Sequence, residues 1–158
     1  MAPRIARFFL LLAASWCTMT FTHETGHIVG GWCCGGTLVA ADLRPWGLPY
    51  SMFDPDPRPM VTLWCGPVLG VAAPVGFARL ARRSEAWFIA YFCVLANGAY
   101  LASAWVSGDS HLDTTRLIGL GASPFTVATY CGLTIGFGYA GFRRSCIDAL
   151  SPPRRQSA

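Results

Sequence analysis

Four apolar runs constrain this chain more than anything else in it. They extend from about Phe8 to Cys34, Met60 to Ala81, Ala86 to Val106 and Phe125 to Phe142. Each approaches the ~20 residues a helix needs to cross the hydrocarbon core of a bilayer, the fourth being the shortest. Backbone groups find no water there, so helices are the expected form. Only 13% of the residues are charged and 53% are hydrophobic. A soluble domain carries about 25% charged residues, a difference large enough to change the class. The expected fold is therefore an all-α membrane protein with about four transmembrane helices. It forms one domain over residues 1–150, and the tail "SPPRRQSA", residues 151–158, is expected to be disordered.

All twelve basic residues are arginine. With four spans, nine of them fall on one side: Arg4 and Arg7, Arg79, Arg82 and Arg83, then Arg143, Arg144, Arg154 and Arg155. The positive-inside rule then gives a multi-pass cell-membrane protein with both termini cytoplasmic. The arginines do not interleave with aromatics in one patch, so nucleic acid is not an expected partner. The start, "MAPRIARFFLLLAAS", also has the form of a secretory signal. Cleavage there would strip the helix from the polar motif that follows, so a retained span is the expectation. The seven cysteines are odd in number and sit mostly in apolar runs, which suits small buried residues better than disulfides or a zinc finger. Between the first two runs lies a Gly- and Pro-rich loop, about 35–59. Its "TLVAADL" reads as a short strand, and a β-hairpin on the membrane edge is a candidate element.

The first run is interrupted by "FTHETGHIVGG", residues 21–31. On a helix, residues i and i+4 share a face, so His23 and His27 point the same way and can grip one metal ion. Glu24 stands beside them, within reach of water at that ion. This is the H-E-x-x-H pattern: two zinc ligands and a general base. Apolar sequence resumes at Ile28, Val29 and Trp32, so the motif is not simply a solvated helix end. Charged and polar groups inside a span are costly unless partnered, which marks the site as functional. Gly26, Gly30 and Gly31, like Gly66 and Gly70 in the second run and Gly132 and Gly136 in the fourth, would let a neighbour approach closely or simply pack.

Catalytic zinc usually takes a third protein ligand and one water. From Phe8 to His23 is about 22 Å of helix, which puts the motif in the outer part of the membrane. A partner must come from the outer end of another span, and "SGDSHLD", residues 107–113, follows the third run directly. Asp109 is the first candidate, being nearest the apolar run with Gly108 free to turn the chain. Asp113 is the second, with the alternative of starting a short helix "DTTRLIGLG", and His111 is the third.

With "HETGH" in the first apolar helix, "GPVLG" in the second and a late aspartate, the chain resembles the site-2 protease family of intramembrane zinc metalloproteases, in particular its short bacterial members. The resemblance covers roughly residues 15–124, and only the pentapeptide is sharply diagnostic. It implies that His23 and His27 bind zinc and that Glu24 is the catalytic residue. The family's third ligand is an aspartate, commonly in an Asn-Pro-Asp-Gly context. That tetrapeptide is absent here, and Asn97 and Asp109, twelve residues apart, are the matching candidates. Many members carry the motif near the cytoplasmic face, whereas the arginine asymmetry places it near the outer one. The expected function is a zinc metalloendopeptidase (a hydrolase using metal-activated water) acting on a membrane protein or peptide. The strand near Thr37 to Leu43 is a candidate to hold that substrate by edge pairing. A zinc or divalent-metal transporter and an inactive metal-binding scaffold are the alternatives.

Overall fold

The computed structural model describes residues 2–151 of the chain. The elements, in order, are α1 (Ala2–Cys33), β1 (Leu38–Asp42), β2 (Tyr50–Phe53), α2 (Pro59–Ala81), α3 (Ser84–Ser107), α4 (Asp113–Gly119) and α5 (Pro124–Leu150). The expected disordered tail lies outside the described residues except for Ser151, which caps α5 by donating its amide to the Ile147 carbonyl.

Among the described residues, three helices are long and apolar enough to cross a membrane: Pro3–Cys33, Pro59–Ala81 and Ser84–Ser107. The expectation of about four is met only in part. The last helix, α5, has the length, 27 residues. Its apolar character is diluted by three threonines and four glycines before Arg143 and Arg144. It packs along α3 through small residues: a Cβ at Gly138 would run into the Leu95 backbone, and one at Gly98 into Thr134.

The hairpin expected after the first run is present. Strands β1 and β2 pair antiparallel, with Ala41 opposite Ser51 and Asp42 opposite Tyr50, and the ladder is irregular between Leu38 and Ala40. Its turn folds back along α1: the Trp16 indole donates to the Pro45 carbonyl at 2.6 Å. Trp16 precedes His23 by seven residues, about 10 Å of helix. Trp46 and Leu48 at that turn are 81% and 69% exposed. Arg44 is neutralised locally, its Nε donating to both carboxylate oxygens of Asp42 at 2.9 Å. The seven cysteines are all free. Cys93 and Cys131 are buried as expected of small apolar residues, whereas Cys17 and Cys33 are exposed.

Helix α3 ends where Gly108 takes the left-handed conformation, φ 66°, and its amide closes on the Ala104 carbonyl. Glycine adopts that conformation without steric cost, so the helix stops and the chain reverses. The return leg becomes α4, which wedges between α2 and α3. Its buried face is Asp113, Thr114 and Leu117. The Thr114 hydroxyl donates to the Leu101 carbonyl at 2.7 Å, and Leu117, wholly buried, packs on Leu63 and Ala122. A seven-residue helix has little stability of its own, so this packing holds it in place. Leu117→Ala is therefore expected to cost ~2–5 kcal/mol, read as a lower midpoint in detergent unfolding.

Candidate metal centre

Helix α1 supplies His23, Glu24 and His27, which are 4%, 5% and 5% exposed inside an otherwise apolar helix. One donor atom from each lies within 4.8 Å of the others. The two imidazoles meet edge to face, centroids 4.8 Å apart, as the four-residue spacing requires.

Each ring is oriented from behind. His23 Nδ1 lies 2.7 Å from Asn97 Oδ1. The amide nitrogen of Asn97 donates to the Cys93 carbonyl at 2.8 Å, which fixes the oxygen toward the histidine. His27 Nδ1 lies 2.9 Å from the Thr62 carbonyl on α2. Both partners only accept, so a neutral ring at either position carries its hydrogen on Nδ1 and presents a bare Nε2 lone pair. Those lone pairs converge, with Nε2 to Nε2 at 3.1 Å. Into the same space comes Asp113 Oδ2, at 2.9 Å from His23 Nε2 and 3.2 Å from His27 Nε2.

Three acceptors at these separations repel one another unless something positive lies among them. A tetrahedral centre with bonds of ~2.0–2.1 Å separates its ligand atoms by about 3.3–3.4 Å. Edges of 2.9, 3.1 and 3.2 Å come close to that. Two imidazoles and a carboxylate, each ring braced through its far nitrogen, form a donor set suited to a divalent cation.

The glycines of "GPVLG" now have a structural reason. A Cβ at Gly66 would collide with the His27 imidazole, and one at Gly70 would come 2.6 Å from Asn97 Oδ1. One glycine makes room for a ring, the other for the amide that orients its partner ring. In the same way, a Cβ at Gly26 would strike the Cys65 carbonyl, so α1 and α2 approach to near backbone contact. The glycines Gly132 and Gly136 have open space beside them and no such role.

Glu24 faces a cleft of about 480 Å³. Its Oε2 accepts from the Ser51 hydroxyl at 2.6 Å, which ties the carboxylate to β2. The cleft is lined by β2 and by residues 110–113, together with His27, Thr62 and Tyr100. The strand that borders it is thus β2, not the Thr37–Leu43 stretch expected to do so. The Tyr100 ring meets the His23 ring edge to face at 5.3 Å.

Three sequence candidates for the late ligand are separated by this geometry. Asp109, the first choice, is exposed and spends its Oδ1 on the His111 amide at 2.9 Å. His111 lies at the exposed rim of the cleft. Asp113 meets the histidines. The reason is height along α3: Asn97 is level with His23, and Gly108 stands eleven residues further on, about 16 Å. Asp109 is at the top of the reversal, and only after several more residues has the chain descended to the rings. The Asn97 candidate lies in the site, at a ring nitrogen. Ser51, Tyr100 and the Thr62 carbonyl escaped the sequence reading. No short motif marks them, though the Gly66–Gly70 spacing pointed to the helix face on which two of the site's groups pack.

No protein-family model matches the chain, and no curated protein or solved structure matches it. The donor geometry makes its own prediction. Removing the bond behind His23 with Asn97→Ala should weaken zinc affinity ~10–100-fold. Asp113→Asn should weaken it further still, and Asp109→Asn hardly at all. Metal titration of the purified variants against a competing chelator measures all three.

Proposed function

We propose that this chain is a membrane-embedded zinc metalloendopeptidase of the kind the "HETGH" motif suggested. The observation that carries the reading is the convergence of two braced histidine nitrogens and the Asp113 carboxylate beside Glu24, with Glu24, His27 and Asp113 lining a cleft. His23, His27 and Asp113 would hold the ion and leave a position for water and substrate. Zinc bound there supplies Lewis acidity, polarising a peptide carbonyl and bringing the pKa of water toward ~7.

The remaining chemistry belongs to the chain. Glu24 is the general base: it takes a proton from the attacking water and returns it to the departing amide nitrogen. Ser51 keeps that carboxylate turned toward the cleft. Strand β2 is paired on one side only, by β1. An unwound stretch of substrate backbone can pair along its other side, which would lay a scissile bond across the site. The substrate class is therefore a membrane-spanning or membrane-edge peptide that is extended locally. In the same reading α5 completes a fourth span alongside α3. Both termini then lie with the arginine-rich side in the cytoplasm, and the centre lies toward the outer face of the cell membrane.

The decisive experiment uses purified protein in detergent and in proteoliposomes. Glu24→Gln is expected to keep its zinc and lose ~10²–10⁴-fold in cleavage of model transmembrane peptides. If it cleaves as fast as wild type, the mechanism fails. If zinc crosses the vesicle wall and no peptide is cut, the chain is a transporter and not a peptidase.

A further inference from the structure

We infer that Tyr100 is a second catalytic residue of this site, its hydroxyl donating to the oxyanion that forms when water adds to the scissile carbonyl. This rests on the peptidase reading above and adds a group to it. Tyr100 follows Asn97 by three residues on α3, so both stand on the face that meets α1. Asn97 holds His23 at Nδ1 and Tyr100 packs edge-on against the same ring, centroids 5.3 Å apart. The phenol lines the cleft together with Glu24, His27 and Asp113.

Its hydroxyl is uncommitted. Among the described residues the hydroxyl donates to no acceptor. Tyr130 provides the contrast, since its hydroxyl is spent on the Pro67 carbonyl at 2.8 Å. A phenylalanine at position 100 would pack against His23 equally well, so packing does not account for the oxygen. Arg116 also borders the cleft, but it is an exposed side chain at the rim. The Tyr100 ring is held by His23 on α1 and by the cluster of Leu101, Val127 and Cys131. A donor fixed in advance where charge develops is worth more than one that must be recruited from water.

The step balances without any further reactant. As the water oxygen bonds to carbon, the carbonyl π pair moves onto its own oxygen and the water proton passes to Glu24. The Tyr100 hydrogen stays on its oxygen and only hydrogen-bonds to the new negative charge. When the C–N bond breaks, the pair returns to re-form the carbonyl, and Glu24 delivers its proton to the leaving nitrogen.

The test is Tyr100→Phe in the full-length, zinc-loaded protein. Cleavage of a model transmembrane peptide should fall ~10²–10³-fold in kcat with KM within about threefold of wild type and zinc content unchanged. A binding readout accompanies it. A phosphinic analogue of that peptide, whose tetrahedral anion copies the oxyanion, should bind at least ~10-fold more weakly to Tyr100→Phe. A thiol analogue of the same sequence, which has no such oxygen, should bind about equally to both proteins. Undiminished cleavage, loss of zinc, or equal weakening of both analogues would each reduce Tyr100 to a packing residue and overturn the inference. These outcomes differ from failure of the peptidase reading, in which wild type itself takes up no zinc or cuts no peptide.

Discussion

Two imidazole lone pairs and a carboxylate oxygen, all within 3.2 Å of one another, are an arrangement that proteins avoid unless a positive charge joins it. Nothing in the apolar sequence of α1 would produce it by accident. Each ring is held from behind by an acceptor on a different helix, Asn97 on α3 and the Thr62 carbonyl on α2. The carboxylate is delivered by a fourth element. Four helices thus agree on one point in space. The features that looked like ordinary membrane packing, small residues in α2 and a glycine stop after α3, are the means by which they agree.

The energetic problem is the burial of polar groups. His23, Glu24, His27, Asn97 and Asp113 are all buried, and each carries a desolvation cost unless it is partnered. The network meets most of that cost within itself: His23 has Asn97, His27 the Thr62 carbonyl, Glu24 Ser51 and Asn97 the Cys93 carbonyl, while Asp113 faces the two Nε2 atoms. Such networks specify a single arrangement because a half-satisfied version is worse than none. The hairpin belongs to the same account. Without Ser51, Glu24 would be a carboxylate in an apolar helix with no protein donor on Oε2. The hairpin is also pinned by its turn to Trp16, so the strand beside the cleft cannot drift far from the helix that carries the motif.

Much of this was legible in the sequence, and unevenly so. The helices were, because long apolar runs admit few alternatives in lipid, and so was the hairpin, because Gly and Pro bracket a short β-prone stretch. His23, Glu24 and His27 were legible because their partnership is local, set by one turn of helix. Asp113 was not separable from Asp109. Their difference depends on how far α3 overshoots the histidines before Gly108 reverses it, which is a tertiary quantity with no local signature. Asp109 had the stronger local argument and the wrong height. The span count is met only in part for a related reason: α5 is a helix of spanning length whose threonines and glycines dilute its hydropathy, Thr134, Gly138 and Gly141 among them packing on α3. Ser51 and Tyr100 carry no motif at all. They are assigned by what they face.

The close approach of α1 and α2 ties fold and chemistry together. Gly26 sets the distance between the two backbones, Gly66 leaves the space that His27 fills, and Gly70 does the same for Asn97. A single methyl group at Gly66 or Gly70 acts first on the His27 ring or on the Asn97 support of His23, whereas one at Gly26 meets the Cys65 backbone and forces α1 and α2 apart. The site should therefore lose its geometry well before the protein loses its fold. The converse also holds: a bound cation favours the one helix spacing that brings its ligands together, so occupancy stabilises the packing that creates the site. In a bilayer, where apolar side chains gain little by leaving lipid for one another, that contribution weighs more than it would in water. A cation held there would make the site a structural joint of the bundle.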